Sequence, residues 1–148
     1  MSTKKYEILD NSYITKDGFT VYQIKALVDI PSNVTVPIKA GTLGGFIQSE
    51  DHLSQDGNCW VYYAPTQSGA VWGLVYDKAR VQDNAVIFPN GIVRGSAIIK
   101  DNAVIGGGES TVEGDAVIGG FTKMGAPTTV ATGNFTGNMT LWGKGQIS

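Results

Sequence analysis

The stretch that decides the fold is Gly73-Leu74-Val75-Tyr76-Asp77-Lys78-Ala79-Arg80-Val81-Gln82-Asp83-Asn84-Ala85-Val86-Ile87-Phe88-Pro89-Asn90-Gly91-Ile92-Val93-Arg94-Gly95-Ser96-Ala97-Ile98-Ile99-Lys100-Asp101-Asn102-Ala103-Val104-Ile105. A small residue recurs at every sixth position: Gly73, Ala79, Ala85, Gly91, Ala97, Ala103. Two residues after each stands a β-branched aliphatic: Val75, Val81, Ile87, Val93, Ile99, Ile105. Most units close on turn formers, as in Asp83-Asn84, Pro89-Asn90, Gly95-Ser96 and Asp101-Asn102. Allowing one inserted residue at Glu109, the register resumes at Ser110, Ala116, Thr122, Thr128, Asn134 and Thr140, paired with Val112, Ile118, Met124, Val130, Thr136 and Trp142.

Alternate side chains of a strand point to opposite faces, so the first and third residues of each unit share one face. The small-then-aliphatic pair forms the inward face, and the second and fourth residues point outward. Three strand-and-turn units close a triangular coil of about eighteen residues, each strand pairing with the strand one coil away. The expectation is an all-β, single-stranded parallel β-helix of about four to five coils over residues 57–148, preceded by an N-terminal β cap over residues 1–56. On this register Thr136, Gln146 and Ser148 fall inward, which predicts a last coil without apolar filling and with Trp142 as a plug.

Composition agrees. The 148 residues include four Glu and six Leu against fourteen Val, thirteen Ile and thirteen Thr, a balance that disfavours helix. Twenty glycines imply many tight turns. A net charge of -2 gives no global basic footprint, so non-specific nucleic-acid binding is not expected and any anion site must be local. Cys59 is the single cysteine, which excludes an internal disulfide and a Cys-rich zinc site; no carboxylate cluster has calcium-loop spacing, and no cofactor is expected. No signal-peptide core follows Met1 and no run of about eighteen apolar residues occurs, so the expected setting is cytoplasmic, without a membrane span.

The Ala-x-Val/Ile units with their Asp-Asn, Gly-Ser and Gly-Gly corners resemble the hexapeptide-repeat, left-handed β-helix proteins. The left hand comes from this resemblance, since parallel crossovers generally favour the right. Residues Gln23-Ile24-Lys25-Ala26-Leu27, Lys39-Ala40-Gly41-Thr42-Leu43-Gly44-Gly45-Phe46-Ile47 and Leu53-Ser54-Gln55-Asp56-Gly57-Asn58-Cys59-Trp60-Val61-Tyr62 are similar to the head segment of bacterial and phage hexapeptide-repeat proteins without an assigned activity. The resemblance implies a homotrimer packed along the helix axes and, for a phage protein, the host cytoplasm.

In the head, Tyr6–Leu9 and Thr20–Ile30 read as strands around the turn signal Lys16-Asp17-Gly18, and Pro31-Ser32-Asn33 with Pro37 marks a loop. Such a segment is expected to cover the open solenoid end. Between Cys59 and Gly73 two residues exceed the repeat, so residues 64–69 read as a protruding loop.

Sorting the outward second positions by every third unit gives three faces: Leu74, Ile92, Thr111, Thr129; Arg80, Ile98, Val117, Phe135; and Val86, Val104, Lys123, Leu141. The second and third are apolar for surfaces meant to meet water, which predicts self-association unless the head covers them.

Candidate chemistry divides three ways. Arg80, Lys100, Arg94, Lys78 and Tyr76, with Trp72, Trp60 and Tyr62, form a basic and aromatic set suited to a small anionic molecule such as a nucleotide signal, held between subunits of a non-catalytic binding protein. The plain alternative is solubilising charge around an interface and aromatic core packing. The resemblance also implies acyl-coenzyme A-dependent acyl transfer, for which His52 in Glu50-Asp51-His52-Leu53 is the one candidate base; a solvated loop histidine is the competing reading. A structural phage or assembly module is the third possibility. Cys59 reads as a buried structural thiol.

Overall fold

The computed structural model describes residues 4–14, 20–31, 37–62, 70–71, 73–89, 91–106, 110–124, 128–137, 140–141 and 146–147. Each hexad forms a strand of two or three residues, too short to stand alone, and gains its hydrogen bonds from the turns on either side. Arg80 N donates to the Ala97 carbonyl at 2.9 Å, Gln82 N to Ile99 at 2.8 Å and Lys100 N to Ile118 at 2.8 Å.

Three parallel walls result. The Arg80 wall stacks Trp60–Val61, Arg80–Val81, Ile98–Ile99, Val117–Ile118 and Asn134–Phe135. The Leu74 wall stacks Leu74–Val75, Gly91–Val93, Ser110–Val112, Thr128–Val130 and Gln146–Ile147. The Val86 wall stacks Ala70–Val71, Val86–Ile87, Val104–Ile105, Lys123–Met124 and Thr140–Leu141. The protein is therefore an all-β parallel solenoid, consistent with a left-handed β-helix. Three turns between Gly73 and Met124 are regular, and the expected four to five coils are reached only by counting the partial turns that flank them.

The inward columns are those the repeat specifies. Val75, Val81, Ile87, Val93, Ile99, Ile105, Val112, Ile118 and Met124 are each at most 1% exposed, as are Ala79, Ala85, Ala97, Ala103 and Ala116. Burying each large aliphatic contributes about 1.5–3 kcal/mol, and the small partner leaves room for the wall to turn.

Corners repeat as well. Asp77, Gly95 and Gly114 share one column of left-handed backbone, and Asp83, Asp101 and Gly120 another. Aspartate tolerates this region when its short side chain finds a local partner. Asp77 Oδ2 accepts from Gly95 N at 3.0 Å, Asp83 Oδ2 from Asp101 N at 3.1 Å and Asp101 Oδ2 from Gly120 N at 2.8 Å, so each carboxylate ties its corner to the next coil.

The register departs from expectation after Val130. Val117 pairs with Asn134 and Ile118 with Phe135, so the inward position passes to Phe135 and not to Thr136. The corner 131–133 is one residue shorter than its predecessors, made possible by Gly133 at φ +107°. A slip of one residue exchanges inside for outside along everything that follows. Phe135 packs against the core, Asn134 is exposed, Leu141 takes the register position of Met124, and Ile147 that of Val130. The expected outward placement of Phe135 and inward placement of Thr136 are thus corrected; the side chains of Leu141 and Gln146, and the residues Trp142 and Ser148, lie outside the described residues.

The cap is a sheet of β1 (Tyr6–Ile14), β2 (Thr20–Ala26) and β3 (Leu43–Ile47). β1 and β2 are antiparallel, as are β2 and β3, while β3 runs parallel to Ala70–Val71. Cap and Val86 wall therefore form one continuous eight-stranded sheet, and the strand edge at this end of the wall is covered. Leu53, fully buried, adds a parallel bridge to Val75 and starts the Leu74 wall inside the expected head segment. The expected loop at residues 64–69 lies outside the described residues.

Candidate functional site

Arg80 occupies an outward register position yet is only 3% exposed, because the cap folds down over the top of its wall. Its terminal nitrogens donate to the Tyr62 hydroxyl and to the Pro31 carbonyl, both at 2.8 Å, and its guanidinium carbon lies 5.8 Å from the Tyr62 ring centre. No carboxylate pairs with it among the described residues. Arg80 and Tyr62 are thus brought together as expected, but to clasp the cap. Arg80→Ala is expected to destabilise the protein by about 2–3 kcal/mol, through lost charge-assisted hydrogen bonds and lost packing of the buried stem. Urea denaturation checks this; a change below about 0.5 kcal/mol would show that the clasp is incidental.

Trp60 is fully buried, its ring edge-to-face with Tyr6 at 6.4 Å, so it is core and not the wall of a pocket. Trp72 lies outside the described residues.

Tyr76, Arg94 and Glu113 follow successive strands of the Leu74 wall and stack into a column. Arg94 donates from Nε and one terminal nitrogen to Glu113 Oε1, at 2.8 and 2.5 Å, and from the other to the Tyr76 hydroxyl at 3.2 Å. The Tyr76 hydroxyl and the Glu113 carboxylate raise the Arg94 guanidinium above the usual arginine range. Lys78 stands exposed at the corner before Arg80, and Lys100 stands half-buried at the corner after Ile99. Neither is ion-paired among the described residues. The expected basic set is therefore split: Arg80 serves the cap, Arg94 the column, and the two lysines flank the Arg80 wall.

His52 ends a short 3-10 helix, Glu50–His52, capped by the Ser49 side chain. Its Nδ1 lies 2.6 Å from the Gly73 carbonyl oxygen. A carbonyl only accepts, so Nδ1 is the donor in this bond, and in the neutral ring Nε2 is the acceptor.

Beside this helix a cavity of about 460 Å³ is lined by Asp51, Ser54, Asp56, Gly57, Leu74, Val75, Tyr76 and Asp77. Three carboxylates, Asp51, Asp56 and Asp77, make it hostile to anions. The repeat could not reveal this cleft, because it joins the non-periodic head to the first corner. Among the described residues no group of His, Cys, Asp or Glu is assembled to hold a metal ion, and no helix is long and apolar enough to cross a membrane.

The outer walls differ in cover. On the Val86 wall, Val86 and Phe88 pack with Phe46 against buried Val21 of β2, so the head covers part of that face. On the Arg80 wall, Ile98 and Val117 are register partners below the clasp and remain partly exposed. The sequence matches no protein-family model and no curated protein.

Proposed function

We propose that this chain is a non-catalytic, oligomeric binding protein of bacterial or phage type, assembled through the Arg80 wall and holding a small anionic ligand, such as a nucleotide, between subunits. One observation carries the reading: Ile98 and Val117 form an apolar strip on that wall, flanked by Lys78 and Lys100, neither of which is ion-paired among the described residues. An apolar strip rimmed by unpaired ammonium groups suits both a second copy of the chain and an anion trapped at its margin.

Thermal unfolding against a panel of nucleotides tests the ligand. Saturation at about one hundred times Kd contributes about 2.7 kcal/mol, which raises Tm by roughly 5–10 °C. Lys78→Glu with Lys100→Glu is expected to abolish that rise without lowering the Tm of the free protein by more than about 2 °C. No shift with any phosphate-bearing compound would remove the anion from the proposal.

The second reading, acyl-coenzyme A-dependent transfer with His52 as base, is favoured by the His52–Gly73 hydrogen bond, which leaves Nε2 as acceptor. Transfer activity surviving His52→Ala would end that role.

A further inference from the structure

Lys5 directly precedes β1, and its side chain runs into the junction between the cap and the first solenoid strand, where it is 5% exposed. Its Nζ donates to the Cys59 carbonyl at 2.8 Å, to the Gly57 carbonyl at 3.3 Å and to Cys59 Sγ at 3.2 Å. Cys59 is a free thiol with no exposed surface. Burial lowers the Lys5 ammonium below the usual lysine range, against the opposing pull of Cys59, and pushes the Cys59 thiol up against that of Lys5. As an ammonium Nζ serves all three acceptors; as an amine its two N–H groups serve the Gly57 and Cys59 carbonyls and its lone pair faces Cys59 Sγ. The position of Lys5, 54 residues away in sequence, brings two nucleophilic atoms within contact distance in a site closed to bulk water.

We propose that Lys5 and Cys59 are an oxidative modification site, in which hydrogen peroxide and the two side chains yield a sulfenamide cross-link. In the first step the Lys5 amine takes the Cys59 thiol proton and the thiolate sulfur attacks one peroxide oxygen; an S–O bond forms, the O–O bond breaks, and the departing hydroxide takes that proton back from Lys5 and leaves as water. Sulfur gives up two electrons and peroxide takes them, leaving a sulfenic acid. In the second, the Lys5 Nζ lone pair attacks that sulfur; an N–S bond forms, the S–O bond breaks, and the hydroxyl departs with one amine proton as water. Condensation with a backbone nitrogen to a sulfenamide is an established fate of sulfenic acids, and here the Lys5 amine, 3.2 Å from the sulfur, stands in the place of that nitrogen. Burial slows the first step and shields its product from further peroxide. The link ties the start of the cap to the start of the solenoid.

The test is millimolar peroxide on the full chain, followed by intact mass and peptide mapping. The expected product has lost about 2 Da, joins the peptides bearing Lys5 and Cys59, reverts with dithiothreitol, and unfolds about 5 °C higher. In Lys5→Arg the link is absent, and a sulfenic-acid trap captures Cys59 several-fold more. The wild-type map stands alone if that variant fails to fold. The proposal is overturned by a Cys59 that stays reduced, by sulfenic or sulfinic Cys59 with Lys5 free, or by a link containing an added oxygen.

Discussion

Ile99→Asp is expected to cost about 5–7 kcal/mol and to leave most of the chain unfolded, while Ile98→Asp, one residue away, costs the fold of the single chain less than about 1 kcal/mol and acts on assembly instead. Ile99 has no exposed surface and stands in the inward column between Val81 and Ile118. A carboxylate there forfeits roughly 1.5–3 kcal/mol of aliphatic burial and suffers a desolvation penalty of several kcal/mol more. That sum rivals the roughly 5–15 kcal/mol that holds a domain of this size together. Ile98 points outward and is partly exposed in the single chain, so a charge there keeps its water once the chains separate. Urea denaturation of the two variants side by side is the check. Equal losses would refute the inward and outward assignment of the wall.

The second large effect belongs to Gly114→Val, expected to cost about 4 kcal/mol. Gly114 lies at φ +62°, and a Cβ built on it would stand against the carbonyl oxygen of Ala131 in the next coil. A β-branched residue adds backbone strain of about 1–3 kcal/mol to an overlap that only separation of the coils relieves. Because a solenoid is stabilised by nearest-neighbour stacking, the damage is expected to stay local. Amide exchange at Val130 and Phe135 is expected to rise to near that of an unfolded chain, while Val81 and Ile99 stay protected. Uniform loss of protection would show that the coils do not stack as independent layers.

These two positions also mark what the sequence discloses. The inward column is legible because closing the coil demands a small residue and an aliphatic at a fixed interval, and Val75 through Met124 supply them with a single insertion, at Glu109. Corner chemistry is legible too, since Asp83, Gly95 and Asp101 are the residue types that left-handed backbone admits. The slip after Val130 is not, because Gly133 and Thr136 each satisfy a loose version of the pattern, and only the pairing of Ile118 with Phe135 decides between them. Arg80 misleads for a related reason. Its register position is outward, as periodicity says, but periodicity is blind to the cap, and the Pro31 carbonyl and Tyr62 hydroxyl that claim it come from outside the repeat. The Lys5–Cys59 contact and the acidic cleft are hidden in the same way, since each joins segments that share no period.

Light scattering of the purified chain at micromolar concentration bears most directly on the proposed assembly. The account predicts a particle of three copies of the 15.7 kDa chain, reduced to a folded single copy by Ile98→Asp. A wild-type mass of one chain, or a trimer indifferent to Ile98→Asp, would contradict assembly through the Arg80 wall.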